Sequence, residues 1–197
     1  KWHVQHAPAP QQGRAGVAIL SRLQPTSVRQ NVKVEKIDGQ GRWLEADFTT
    51  PVGDITVVST YIHTGEVDTP KQVAKYEFLE GMDKRLAALA RSTKKTGREV
   101  LVCGDFNIGH REVDIKNWKG NRGKAGFLED ERAYLDSWFN RDWTDLGLHL
   151  GGEGPGPYTW WSWRGRGRRL RGGRTGGRPR GGGARAGWGR RVLAGGR

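Results

Sequence analysis

The chain has 197 residues and a formal net charge of +13, from 34 Lys and Arg against 21 Asp and Glu. The excess is local: from Arg164 onward there are 12 Arg and 13 Gly with no Lys and no acid, so the first 163 residues carry a net of only +1. The basic average therefore does not make the body a nucleic-acid binder, and the length excludes a second enzymatic domain. Residues 1–165 are expected to form one domain. Residues 166–197, poor in apolar surface to offset the entropy of ordering, are expected to be a non-globular Arg/Gly-rich tail. The single cysteine, Cys103, excludes an intrachain disulfide, a CxxC redox pair and a multi-cysteine zinc site, and fits a reducing cytoplasm. No run of about 18 apolar residues could span a bilayer, so a soluble, cytoplasmic protein without a membrane partner is expected. The chain opens on Lys1 and its one methionine is Met82, which suggests a fragment whose start lies upstream.

In chain order, Gly16 to Leu20 is a short apolar run that predicts a strand buried on both faces. From Trp43 to Phe48, Leu44, Ala46 and Phe48 alternate with Trp43, Glu45 and Asp47, the period of a half-buried strand. Pro51-Val52-Gly53 turns the chain into a second strand, Ile55 to Ser59, so an antiparallel hairpin is expected. Thr69-Pro70-Lys71-Gln72 reads as a helix start, with Thr69 as N-cap and Gln72 closing a capping box. Val73, Tyr76, Leu79, Met82, Leu86 and Leu89 line one face of a helix running to about Arg91. Glu99 to Cys103 is a buried strand that ends at Gly104-Asp105, and Glu129-Asp130-Glu131 opens a second helix bearing Tyr134, Leu135 and Trp138. Gly151 to Pro157 reads as a loop. The class is α with β, and the hairpin makes the sheet at least partly antiparallel.

Residues two apart on an extended segment share a face, so Asp105 and Asn107 point one way and Phe106 the other. A carboxylate and an amide at a strand's end can orient or deprotonate a water and steady negative charge on a phosphate. An Asx turn bonded to nearby backbone is the alternative. Tyr61 ends the preceding strand, where its phenol could donate to the same phosphate or simply pack. His63, His110 and His149 show no zinc spacing. Asp114 to Gly126, DIKNWKGNRGKAG, interleaves Lys116, Lys119, Arg122 and Lys124 with Asn117 and Asn121, a composition suited to gripping a phosphate backbone or to a solvated loop. Tyr158 to Trp163 is dense in aromatics that could stack a sugar or base, or pack in a core.

The segments GRAGVAILSR, STYIHTGE, VLVCGDFNIGHREVDIKNWKGNRGKAGF and YTWWSWRG, in this order, resemble exodeoxyribonuclease III-like DNA repair nucleases of the endonuclease/exonuclease/phosphatase superfamily. The resemblance spans Trp2 to Gly165. It implies a four-layer α/β sandwich of two packed mixed sheets flanked by helices, incomplete here. It also implies metal-dependent hydrolysis of DNA phosphodiesters, as 3′→5′ exonuclease and abasic-site endonuclease, by a monomer acting on double-stranded DNA at abasic sites and 3′ ends. By resemblance, Asp105 orients or deprotonates the attacking water, Asn107 stabilises the pentacovalent phosphate and Tyr61 contacts the phosphate. Asn121 and Lys124 touch the DNA backbone, and Trp160 lines a pocket for an extruded abasic sugar. Asp105 and Asn107 are the expected metal residues, with Mg²⁺ or Mn²⁺ as cofactor.

The pattern also departs from the family. The family's upstream catalytic Asn and metal-binding Glu would precede Lys1, and its GWRxDY and SDHxP motifs are replaced by RGRGRRLRGGRTGGRPR, as an out-of-frame reading of GC-rich codons near Gly165 would produce. The 197-residue chain is accordingly expected to be inactive. A nucleic-acid-binding protein acting through its Arg/Gly tail is the competing expectation, and a small-phosphoester phosphatase a weaker third.

Overall fold

The computed structural model describes residues 1–151, 158–159 and 190–195. Strands β1 (His3–Pro8) and β2 (Gly16–Ser21) pair antiparallel as a two-stranded sheet. The second sheet is mixed and six-stranded. It comprises β3 (Ser27–Arg29), β4 (Trp43–Thr50), β5 (Gly53–Tyr61), β6 (Glu99–Asp105), β7 (Trp143–Asp145) and β8 (Arg190–Gly195), in the order β3-β4-β5-β6-β8-β7. Helices α1 (Pro70–Thr96) and α2 (Glu129–Phe139) pack on one face, and a short α3 (Leu146–Gly151) follows β7. β5 and β6 are parallel, because α1 carries the chain back between them; the other pairs are antiparallel.

Two apolar clusters sandwich the large sheet. Val58, Val100 and Val102 face Phe78, Leu79, Met82 and Leu86 of α1 with Leu135 and Trp138 of α2. On the opposite face, Leu44, Ala46 and Phe48 of β4 meet Ala7, Val17 and Ile19 of the β1–β2 hairpin. The described residues thus form three layers: hairpin, mixed sheet and helices. This is the α/β sandwich of two packed sheets with flanking helices that the resemblance implied, the smaller sheet represented among the described residues by the β1–β2 pair.

The predicted β4–β5 hairpin is present, with Trp43 opposite Thr60 and Thr50 opposite Gly53. Its alternation is misleading, however, for every residue from Trp43 to Phe48 is buried. Glu45 and Asp47 tolerate burial because guanidinium groups meet them: Arg85 holds both oxygens of Glu45 at 2.7 and 2.6 Å, Arg29 both oxygens of Asp47 at 2.7 Å, and Arg98 reaches Asp47 at 2.9 Å. Conversely β2 is buried on one face only, since Ala18 and Leu20 are exposed where an apolar run suggested cover on both sides. Helix α1 begins at the expected cap, Thr69 accepting from the Lys71 amide, and ends at Thr96, five residues beyond Arg91, with Gly97 as its C-cap. Val73, expected in its core face, is 59% exposed, whereas Gln72, Lys75 and Phe78 are buried. Gln72 does not close a capping box; its amide reaches Glu131 at 2.8 Å.

Six residues of the segment expected to be non-globular form β8, between β6 and β7. The apolar trio Val192-Leu193-Ala194 explains the exception: Leu193 is fully buried, and the strand satisfies backbone groups on the facing edges of β6 and β7.

The Arg-bound carboxylates set an acid limit. Burial alone would raise Glu45 and Asp47, but their guanidinium partners outweigh it and hold both below the ordinary carboxylate range. A depressed folded value means the stabilisation is full above the unfolded value and disappears as pH falls through the folded one. The melting temperature should therefore drop steeply below about pH 4. At pH 7, Arg85→Met should cost on the order of 2 kcal/mol in chemical denaturation, since Arg29 still meets Glu45.

Candidate active site

Tyr61 and Asp105 end adjacent parallel strands and are register partners, so the pairing places them side by side on one face of the sheet. The pairing continues one residue further, the Ile62 amide donating to the Asp105 carbonyl at 2.9 Å. Gly104 makes this close approach possible. Its φ is +156°, and a Cβ there would lie 1.8 Å from the Thr60 carbonyl oxygen.

After Asp105 the chain turns sharply. Asn107 adopts φ 49°, a left-handed conformation uncommon outside glycine, and its amide N–H donates to the Asp105 Oδ1 at 3.0 Å. The Asx-turn geometry that competed with a functional reading of these residues is therefore present in the backbone. Phe106, pointing oppositely as expected, is fully buried against Trp138 in an edge contact with centroids 6.5 Å apart. The Asn107 side chain is only 3% exposed, and its Nδ2 donates to the Ile62 carbonyl at 2.8 Å. An amide has two N–H donors, so one direction of donation is committed to the neighbouring strand's continuation.

Arg42 buttresses Tyr61: its guanidinium lies 4.8 Å from the ring centroid and donates to the Tyr61 carbonyl at 2.9 Å. His63, two residues on, stacks edgewise on Phe78 with centroids 5.4 Å apart, and its Nδ1 is buried without a hydrogen-bond partner. Burial, reinforced by Arg42 and Lys75, pushes His63 down to about 4, so its ring is neutral at pH 7.

Asn121 and Lys124 lie in a segment with two single 3₁₀ turns, Glu112–Asp114 and Lys119–Asn121. Asn121 Nδ2 donates to the Asn117 carbonyl at 2.8 Å, and Lys124 is exposed. Trp118 is flanked by cations, with Arg122 4.4 Å and Lys119 5.5 Å from its ring centroid. The segment is closed at its base by the Gly109 amide donating to the Gly126 carbonyl at 2.8 Å. Trp160 lies outside the described residues. Lys75 was not singled out by its sequence pattern: its ammonium, on the buried face of α1, reaches the Asn107 carbonyl at 2.9 Å. Its only sequence signal is position, one turn from Leu79 in the helix's core stripe.

An α/β sandwich whose adjacent parallel strands end on a tyrosine and on an Asp-x-Asn turn, beside a basic loop, is the class these features define. Residues 1–171 match the Endonuclease/Exonuclease/phosphatase family, and the chain belongs to it. It is 28% identical over 163 residues to an exodeoxyribonuclease of Bacillus subtilis (strain 168), covering 83% of this chain and 61% of that protein. It is 30% identical over 159 residues to DNA repair nuclease APEX1 of Danio rerio, covering 77% and 46%. Among solved structures, the 3′-5′ exonuclease NExo of Neisseria meningitidis aligns with a TM-score of 0.75 at 24% identity, over 98% of this chain and 67% of that one. An AP endonuclease of Archaeoglobus fulgidus aligns at 0.67 and 24%, over 98% and 66%. The chain thus spans less than two thirds of the length of these curated relatives, and the structural likeness shows the fold.

Two outcomes follow from the local geometry. Gly104→Ala should unfold the chain or cost several kcal/mol, because both φ and the Thr60 carbonyl oppose a Cβ; circular dichroism melting would detect it. For His63, the unfolded chain takes up the proton first as pH falls, so the stability it contributes is full above about 6.5 and declines toward 4. His63→Phe should flatten the dependence of melting temperature on pH across that interval.

Proposed function

We propose that the protein is a DNA repair nuclease of exodeoxyribonuclease III type, hydrolysing phosphodiesters of double-stranded DNA at abasic sites and 3′ ends. The observation that carries this reading is the side-by-side ending of β5 and β6, with Tyr61 and Asp105 paired in register and the Asn107 N–H donating to Asp105 Oδ1. In this reading the Asp105 carboxylate orients or deprotonates the attacking water. The Asn107 amide and the Tyr61 phenol donate toward phosphoryl oxygens, where preorganised donors lower the barrier. Asn121 and Lys124 hold the DNA backbone, the asparagine by geometry and the lysine by charge. Trp160 supplies the aromatic wall of the abasic pocket. The nuclease domain is residues 1–165, acting as a cytoplasmic monomer, with 166–197 an Arg/Gly-rich tail of which residues 190–195 form β8.

A divalent metal, Mg²⁺ or Mn²⁺, belongs to this activity and would polarise the phosphoryl oxygen. The described residues do not complete a site for it. Asp105 offers carboxylate oxygen, but among the described residues no group of three or more His, Cys, Asp and Glu could hold a metal ion. With Asn107 Nδ2 turned to the Ile62 carbonyl, the metal role expected of Asp105 and Asn107 needs oxygen ligands beyond those two.

Fluorescence anisotropy with a duplex containing an abasic analogue tests the reading. The 197-residue chain should bind it in preference to an intact duplex, and Lys124→Ala should lower the salt dependence by about one counterion. Binding that ignores the abasic site and vanishes on deleting residues 166–197 would instead support a tail-driven nucleic-acid binder, a reading favoured by the 12 Arg after Ser162. In Mg²⁺ the 197-residue chain should leave the abasic strand uncut on a denaturing gel. EDTA-sensitive turnover would show that the metal site is complete after all.

A further inference from the structure

A buried ion pair lies beneath the rim. Lys75 Nζ meets Glu131 Oε1 at 2.8 Å, and both side chains are fully buried. The remaining ammonium protons go to two backbone carbonyls, Asn107 at 2.9 Å and Thr64 at 3.2 Å. Glu131 Oε1 also accepts from Gln72 Nε2 at 2.8 Å, while Oε2 accepts from the Gly126 amide at 2.6 Å and the Leu128 amide at 3.3 Å. Every direction of the pair is thus used, and its backbone partners belong to two connections, β5–α1 and β6–α2, the second held near both of its ends. Thr64 follows Tyr61 on the β5–α1 connection. Asn107 follows Asp105. Gly126 closes the basic segment that contains Asn121 and Lys124.

We propose that the Lys75–Glu131 pair is the positioning device of the rim, fixing relative to one another the β5–α1 connection that follows Tyr61 and the two ends of the β6–α2 connection, the turn of Asp105 with Asn107 and the base of the basic segment. As a stabiliser alone a buried ion pair is a poor choice, since an apolar pair of similar volume is often as stable or more so. An apolar pair, however, could not bond the Thr64 and Asn107 carbonyls or the Gly126 and Leu128 amides, and these groups would then set the loops differently. Asn107 shows the effect most directly. Its left-handed backbone is held through its carbonyl by Lys75, through its N–H by Asp105 and through its side chain by Ile62. Gly65 adds a steric seal, a Cβ there lying 2.4 Å from Gln72 Oε1 and 2.9 Å from Lys75 Cδ. Lys75 and Glu131 are positioning residues, because they meet the rim through backbone.

The DNA-binding part of this inference rests on the nuclease reading; the structural part does not. The test compares the 197-residue chain with the double variant Lys75→Met/Glu131→Leu, which removes both charges while filling the space. The variant should recover most of the melting temperature lost in Lys75→Met alone. It should nevertheless shift the Asn107 and Gly126 amide resonances in a ¹⁵N spectrum and bind the abasic duplex at least tenfold more weakly. A double variant with unchanged resonances and affinity would overturn the proposal. Shifted resonances with a parent chain that ignores abasic DNA would uphold the clamp and sink the nuclease reading. If the double variant does not fold, native-state hydrogen exchange of the unsubstituted chain decides. Asn107, Gly126 and Leu128 should open together, with protection factors within about threefold and a common urea dependence. Independent opening would refute the coupling.

Discussion

An ammonium group with no access to water must have every proton accepted, and that requirement organises this molecule's functional end. Lys75 meets it by drawing in one carboxylate and two backbone carbonyls, and burial still pulls its proton affinity below the ordinary lysine value against the opposing pull of Glu131. The carboxylate in turn needs donors, which it finds in Gln72 and in the backbone approaching α2. The groups so recruited belong to loops, whose backbones lack the ladders that satisfy strands and helices. A single desolvated pair can therefore specify several loop conformations that apolar packing would leave underdetermined.

The rim itself depends on a second constraint, the absence of a side chain at Gly104. β6 is drawn against β5 at the Thr60 carbonyl, and the two strands end in register, bringing a phenol beside a carboxylate. The turn that follows satisfies Asn107 so thoroughly that the Asx-turn and functional readings are not exclusive. The same bonds that make a local turn also fix an amide beside an acid. Among the described residues the rim is not part of any group of three or more His, Cys, Asp and Glu that could hold a metal ion.

The strand and helix pattern was legible because period and turn chemistry are local. Pro51-Val52-Gly53, the Thr69 cap and the apolar stripe of α1 each act within a few residues of chain. The Asp105, Asn107 and Tyr61 rim was legible from spacing and motif order. Three of the misreadings share one cause, partners distant in sequence. Glu45 and Asp47 looked solvent-facing because their alternation is polar, yet arginines up to 51 residues away neutralise them. Gln72 looked like a capping residue, but a carboxylate 59 residues downstream claims its amide. Lys75 was invisible for the same reason: a charged residue in a core stripe is read as a helix's solvated edge until its counter-ion is known.

The strand drawn from the Arg/Gly-rich region bears on the site as well. β6 would otherwise present an open edge opposite β5; β8 bonds that edge along the whole length from Val100 to Asp105, and β7 closes the far side of β8. Asp105 consequently ends a strand flanked on both sides rather than an edge strand, and fraying of its backbone must break bonds to two neighbours at once. Three apolar residues within an arginine-rich stretch suffice, because the groove between β6 and β7 already presents backbone donors and acceptors with an apolar floor. Fully buried Leu193 fills that floor, and Gly195 lets the Trp143 ring close against the strand, a Cβ there lying 2.9 Å from it. Order in this part of the chain is thus imposed by the sheet that receives it, which is why composition alone did not anticipate it.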